Sequence, residues 1–180
     1  PPRRKKLCVI NLEHLNEKIS PEELRKAFIE CAAIETFFLW HKYKTDNNGG
    51  ADLQIKLEGG KIPEDFKRQM FYTFGDYRDL CLDTDISSKK NTNKGVGKVK
   101  KNIDTVFQKI DITNVEQRKP WWGKNAEAIW DGMLCGLSYA SGNKNNTQII
   151  KNHNTLGTVK FGDNKTTLSE FAKKPQFFRW

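Results

Sequence analysis

The chain has 180 residues, of which 31 are Lys or Arg and 22 are Asp or Glu, so its formal net charge is +9. Hydrophobic residues make up 37% of the sequence, which is enough for one domain with its own core. No apolar run approaches the roughly 18 residues of a membrane-spanning helix, and the basic N-terminus lacks the apolar stretch of a secretory signal.

The first predicted element is a long amphipathic helix. Ser20 and Glu23 have the spacing of a capping box, and Pro21 occupies the first helical position. Apolar residues, Cys31 among them, then recur every three or four positions to about Tyr43. The Asn-Asn-Gly-Gly segment that follows predicts the end of the ordered pattern.

A second helix is predicted to begin at Pro63, because a proline followed by two acidic residues is typical of a helix N-terminus. Phe66, Met70, Phe74 and Tyr77 then share one face at helical spacing. We therefore predict that Phe74 is a core residue.

Positive charge is concentrated between Ser87 and Lys124, where the sequence has ten basic and three acidic residues. The beginning of this stretch is polar and predicts an exposed loop, and an amphipathic helix follows at about Val99–Ile110. Such a charge favours polyanionic partners, although a solvated lysine-rich loop is the alternative. The candidate polyanion or receptor contacts are six lysines: Lys89, Lys90, Lys94, Lys98, Lys100 and Lys101.

A further helix is predicted at about Pro120–Tyr139, and Leu168 begins a last one. Trp121, Trp122 and Trp130 lie in the former and are predicted to be core residues, with an exposed binding platform as the alternative. Strand patterns are limited to brief alternations at 54–57 and 158–161. The sequence therefore predicts an all-α fold, an irregular helical bundle with long loops.

Motifs that carry chemistry are absent from the sequence. It has no phosphate-binding loop, nucleophile elbow or His-Glu-x-x-His zinc motif. Four cysteines, Cys8, Cys31, Cys81 and Cys135, form no Cys-x-x-Cys pair, and on spacing alone all three complete pairings stay open. We therefore predict that the chain is not an enzyme and has no cofactor or bound metal.

Several motifs in a fixed order resemble a known family. They are Pro1-Pro2-Arg3-Arg4-Lys5-Lys6-Leu7-Cys8, Phe71-Tyr72-Thr73-Phe74-Gly75-Asp76-Tyr77-Arg78-Asp79, the segment from Pro120-Trp121-Trp122 to Met133-Leu134-Cys135, and Pro175-Gln176-Phe177-Phe178-Arg179-Trp180. Together they resemble a Duffy-binding-like domain, and more closely the domains of the erythrocyte membrane protein 1 family of the malaria parasite Plasmodium falciparum. The resemblance covers essentially the whole chain.

The resemblance implies a mainly helical, disulfide-containing adhesion domain of a variant surface antigen that mediates cytoadherence. Its place would be the extracellular face of the infected erythrocyte membrane, beside neighbouring extracellular domains of the same chain and with an anchor outside this fragment. Its partner would be a host receptor, either of the intercellular adhesion molecule type or a sulfated glycosaminoglycan.

A different class of function is an intracellular, basic, helical nucleic-acid-binding domain. The basic stretch motivates this alternative. However, aromatic residues are not interleaved with its lysines, and no motif that reads a nucleic-acid groove is present. We therefore expect no nucleic-acid partner.

The family resemblance also has implications for the extent of the domain and for the pairing of the cysteines. Complete domains of that family are longer, so residues 1–180 are expected to be a single partial domain whose C-terminal helical subdomain is absent. The partner of Cys8 would lie upstream of Pro1. Among the other cysteines we predict a disulfide between Cys31 and Cys135, because antiparallel packing of their helices would bring their Cα atoms within the roughly 4.4–6.8 Å that a disulfide requires.

Overall fold

A computed structural model describes residues 7–15, 18–84, 93–153, 159–160 and 165–179. Pairing of β type in these ranges is limited to one isolated bridge between Lys160 and Thr167. The predicted all-α fold is confirmed for the described residues. Their helices are α1 (Ile10–Glu13), α2 (Pro21–Asp46), α3 (Gly50–Glu58), α4 (Glu64–Leu82), α5 (Gly95–Gln108), α6 (Val115–Ala140), α7 (Thr147–His153), α8 (Leu168–Lys173) and a 3-10 helix (Gln176–Arg179).

The start of α2 is fixed by the predicted capping box. The Ser20 hydroxyl accepts a hydrogen bond from the Glu23 backbone N–H at 3.2 Å, and the Glu23 carboxylate accepts one from the Ser20 N–H at 2.9 Å. These two bonds satisfy N–H groups that have no partner within the helix. The sequence prediction for this helix is confirmed, with an end at Asp46, slightly beyond the predicted one.

Helices α2 and α6 run parallel and approach very closely. Gly132 faces Ile29 and Gly136 faces Ala33, so the contacts advance in the same direction along both helices. A Cβ atom at Gly132 would lie 3.0 Å from the Ile29 carbonyl oxygen. The two glycines therefore permit a backbone-to-backbone approach that a larger residue would prevent.

Helix α4 packs antiparallel to α2 and completes the core. The Tyr77 hydroxyl, near the C-terminal end of α4, donates to the Cys31 carbonyl oxygen at 3.0 Å. At the other end of α4, Phe66 packs against Trp40 with ring centroids 5.0 Å apart. The shorter helices surround this three-helix core: α5 contacts α1, α7 contacts α6, and α8 with the 3-10 helix contacts α4.

Three of the four aromatic residues predicted for the core lie between α4 and α6. Trp122, Trp130 and Phe74 are buried, with Trp130 and Phe74 in edge-to-face contact, whereas Trp121 is half-buried against Phe107. The Trp130 indole N–H donates to the carbonyl oxygen of His153 at 2.7 Å, which satisfies its polar group inside the core.

The predicted N-terminus of α6 is wrong by more than one turn. The helix begins at Val115, and Pro120 lies inside it rather than at its first position. Asn114 is the N-cap, and its side chain accepts a hydrogen bond from the Gln117 N–H at 2.9 Å. The cap residue therefore determines the helix start more strongly than the proline.

Helix α3 was not predicted. Gly49 and Gly50 indicated the end of order, and the brief alternation at 54–57 indicated a weak strand. Instead the chain turns and forms a new helix, in which Gln54 donates to the Ala140 carbonyl oxygen at 3.0 Å and accepts from the Trp40 indole N–H at 3.2 Å. These long-range bonds have no signal in the local sequence.

The predicted Cys31–Cys135 disulfide is not formed, and both residues are free thiols. The antiparallel packing on which it depended is wrong, because α2 and α6 run parallel. Cys31 is buried and its side chain hydrogen-bonds to that of Cys8, which lowers the pKa of Cys8 and raises that of Cys31, whereas Cys135 is exposed. The Tyr77 hydroxyl also contacts the Cys8 carbonyl oxygen, at 2.7 Å.

Candidate functional site

Three of the predicted contact lysines share one face of α5. Lys94 is the N-cap residue, and Lys98 and Lys101 follow at spacings of four and three, which places the three on neighbouring turns. Lys94 and Lys101 are exposed and Lys98 is half-buried. Within the described residues none of the three ammonium groups forms an ion pair. We call this set the α5 lysine face.

The α5 lysine face begins at the N-terminus of α5, where the helix dipole disfavours positive charge. The N-terminus of a helix carries a partial positive charge, which repels lysine side chains. Glu13 offsets this repulsion, because it brings a negative charge to the N-terminus of α5. Its carboxylate accepts a hydrogen bond from the Gly95 N–H at 3.0 Å. The side chain of Asn102 donates to the backbone carbonyls of Leu12 and Glu13, at 3.0 and 3.1 Å, and so fixes α1 against α5.

The prediction that Lys100 belongs to the same exposed surface is wrong. Lys100 is only 2% exposed, because it lies on the face of α5 that carries Ile103 and Phe107 and turns toward the core. Its long aliphatic stem fits this position better than its charge does. The two remaining candidates, Lys89 and Lys90, lie outside the described residues.

Other basic residues of the same stretch have structural partners. Arg118 is 7% exposed, pairs with Asp104 at 2.5 Å, and donates to the Cys81 carbonyl oxygen at 3.2 Å. Its guanidinium also lies 4.8 Å from the centre of the Phe107 ring. A count of charges along the sequence therefore overstates the charge available to a partner.

A second basic feature lies on another part of the molecule, in a cleft of about 490 Å³ between α4, α6 and α8. Its lining includes one basic residue from each helix: Arg78, Lys119 and Lys173. Phe74 and Trp122 also line it, although both are almost completely buried. We call this feature the α4–α6–α8 cleft.

The sequence contained no signal for this cleft as a unit. Arg78 lies in one of the motifs that carry the family resemblance. Of the three, only Lys119 belongs to the basic stretch between Ser87 and Lys124. Lys173 lies far along the chain, in a helix of six residues. The three come together because α4 and α8 pack against each other, where an Arg78 N–H donates to the Ala172 carbonyl oxygen at 3.3 Å.

The described part of the chain contains no candidate metal site and no membrane-spanning helix. There, no three His, Cys, Asp or Glu residues come together as a metal site would require. No helix in the same ranges is both long and apolar enough to cross a bilayer.

Comparison with known proteins identifies a relative and a family. The chain is similar to the Duffy receptor of Plasmodium vivax (strain Salvador I), with 26% identity over 137 residues that cover 74% of this chain and 12% of that protein. The chain thus spans a small part of that relative's length. No solved structure matches the chain. The Duffy binding domain family matches residues 1–179, and the chain therefore belongs to that family.

Proposed function

We propose that the chain is a receptor-binding adhesion module of a variant surface antigen, displayed on the extracellular face of the infected erythrocyte. The observation that carries this proposal is the match of the Duffy binding domain family to residues 1–179. The related protein from Plasmodium vivax is named as a receptor, which supports binding rather than catalysis. The order of the sequence motifs favours the Plasmodium falciparum erythrocyte membrane protein 1 family.

For the partner we propose a host endothelial receptor, of the intercellular adhesion molecule type or a sulfated glycosaminoglycan. The α5 lysine face favours the glycan. Three neighbouring ammonium groups without ion pairs among the described residues present a positive field, and sulfates are bound mainly by summed charge. Each exposed contact is weak by itself and is screened over about 8 Å at physiological salt.

Reversing the whole α5 lysine face should abolish retention on heparin at physiological salt. The variant is Lys94→Glu/Lys98→Glu/Lys101→Glu, and single Lys→Ala changes should have little effect, because the binding depends on summed charge. Its melting temperature should stay close to that of the original chain, since none of the three lysines is buried and substitutions at exposed positions usually change stability by less than about 0.5 kcal/mol each. Heparin affinity chromatography with a salt gradient measures the effect.

A matched control reverses three exposed lysines on other helices, Lys56, Lys124 and Lys151. It changes the net charge by the same amount, so a general loss of positive charge would lower retention equally in both variants. The glycan assignment requires a much larger loss in the α5 variant. Equal elution of the two variants would show that the α5 lysine face is not the binding surface.

A further inference from the structure

We propose that the α4–α6–α8 cleft binds a small organic anion whose charged group is attached to an apolar part. This site goes beyond the adhesive surface, since none of the lysines of the α5 lysine face lines it. The proposal rests on three properties of the cleft: the sign of its charge, its apolar lining and its open space.

The charge of the described lining is positive. Three basic residues, Arg78, Lys119 and Lys173, contribute to it, and none of the described lining residues is acidic. Lys119 pairs with Glu116 at 2.7 Å, but the Glu116 side chain is 79% exposed, so this ion pair is weak and leaves the ammonium able to contact a ligand. An anion in the cleft would therefore gain charge-assisted hydrogen bonds without meeting a carboxylate in the lining.

The apolar part of the lining consists of Ala126, Ala172 and the small accessible edges of Trp122 and Phe74, which are 5% and 1% exposed. Trp122 and Phe74 pack together with ring centroids 5.3 Å apart, and both contribute to the lining. Each is nearly buried, so it is held in place by the core. A preformed apolar surface beside convergent charged groups is typical of small-ligand sites.

Open space in the cleft depends on Gly123. This residue lies inside α6, where glycine is disfavoured relative to alanine. A Cβ atom there would meet nothing within 4 Å, so no described part of the chain requires the glycine. Because Gly123 lines the cleft, its missing side chain leaves open space there.

The size of the cleft decides what kind of ligand it holds. A volume of about 490 Å³ lies within the roughly 300–1,000 Å³ of small-molecule pockets. A small molecule with one anionic group and an apolar part fits this volume and matches both the charge and the apolar lining. An extended polyanion would instead need a continuous basic groove.

The probe for this site is 8-anilinonaphthalene-1-sulfonate, an anion on flat apolar rings, measured by fluorescence titration of this chain. Its matched control is N-phenyl-1-naphthylamine, which has the same rings and no charge. Two variants test the site: Lys119→Glu/Lys173→Glu reverses the charge, and Gly123→Leu fills the space. The control Lys124→Glu/Lys151→Glu makes the same charge change at exposed lysines outside the lining.

We expect saturable binding of the sulfonate at one site, at least about tenfold tighter than binding of the uncharged probe, as one charge-assisted contact would give. Both cleft variants should weaken it by a similar factor or more while melting cooperatively, and the control pair should not. Equal binding of the two probes, or unchanged binding by the cleft variants, would overturn the proposal. Displacement of the sulfonate by heparin would also overturn it, because the cleft would then belong to an extended polyanion surface.

Discussion

Replacing Arg179 by methionine should destabilise the chain by about 3–5 kcal/mol, because it leaves buried carboxylates without their counter-ion. The Arg179 side chain is 1% exposed and pairs with Asp79, and its Nη2 atom lies 3.9 Å from Asp76. It also donates to the Lys174 carbonyl oxygen at 2.7 Å. Burial raises the pKa of Asp79 and the guanidinium opposes that rise, so its loss should favour the protonated carboxyl.

Thermal and urea unfolding of Arg179→Met measure this effect, with Arg25→Met as the control at an exposed arginine. The control should melt within about 0.5 kcal/mol of the original chain. Adding Asp79→Asn to Arg179→Met should recover part of the loss, because it removes one of the uncompensated charges. An unchanged midpoint for Arg179→Met alone would mean that the C-terminal 3-10 helix is not anchored to α4 in this way.

The substitution Trp130→Ala should cost about 3–5 kcal/mol. Trp130 is fully buried, its ring packs against Phe71 and Phe74, and its N–H donates to the His153 carbonyl oxygen. The change therefore removes a large apolar side chain and leaves the His153 carbonyl without this donor. Equilibrium unfolding in urea gives the difference in free energy.

Phe38→Ala is the control for this experiment, because the Phe38 side chain is 63% exposed. It should change the free energy of unfolding by less than about 0.5 kcal/mol. The alternative is that tryptophans of α6 form an exposed binding platform. That alternative predicts normal unfolding of Trp130→Ala together with lost binding, and this combination would contradict the structure.

Helices with strong local signals could be predicted from the sequence. Ser20, Pro21 and Glu23 fixed the start of α2, because the capping box depends on residues only three positions apart. The apolar spacing after Pro63 likewise predicted α4. Helix α3 was missed because Gln54 is held by Ala140 and Trp40, which are distant in sequence.

The candidate site was only partly predictable for the same reason. The charge of the basic stretch predicted Lys98, Lys100 and Lys101 as contacts together, but the spacing of Lys100 from Ile103 and Phe107 places it on the buried face of α5. The direction of α2 relative to α6 decides whether Cys31 and Cys135 can meet, and Gly132 reveals that direction only once the helices are packed. Local sequence determines helices well, whereas their relative orientation depends on contacts between distant segments.

Receptor binding is the central claim, and surface plasmon resonance tests it most directly. The chain would be passed over a panel of immobilised host endothelial adhesion molecules and sulfated glycosaminoglycans. We predict saturable binding to at least one member, and for a glycan we predict its loss in Lys94→Glu/Lys98→Glu/Lys101→Glu but not in the matched lysine control. Absence of binding to every member, by a preparation that unfolds cooperatively, would contradict the proposal.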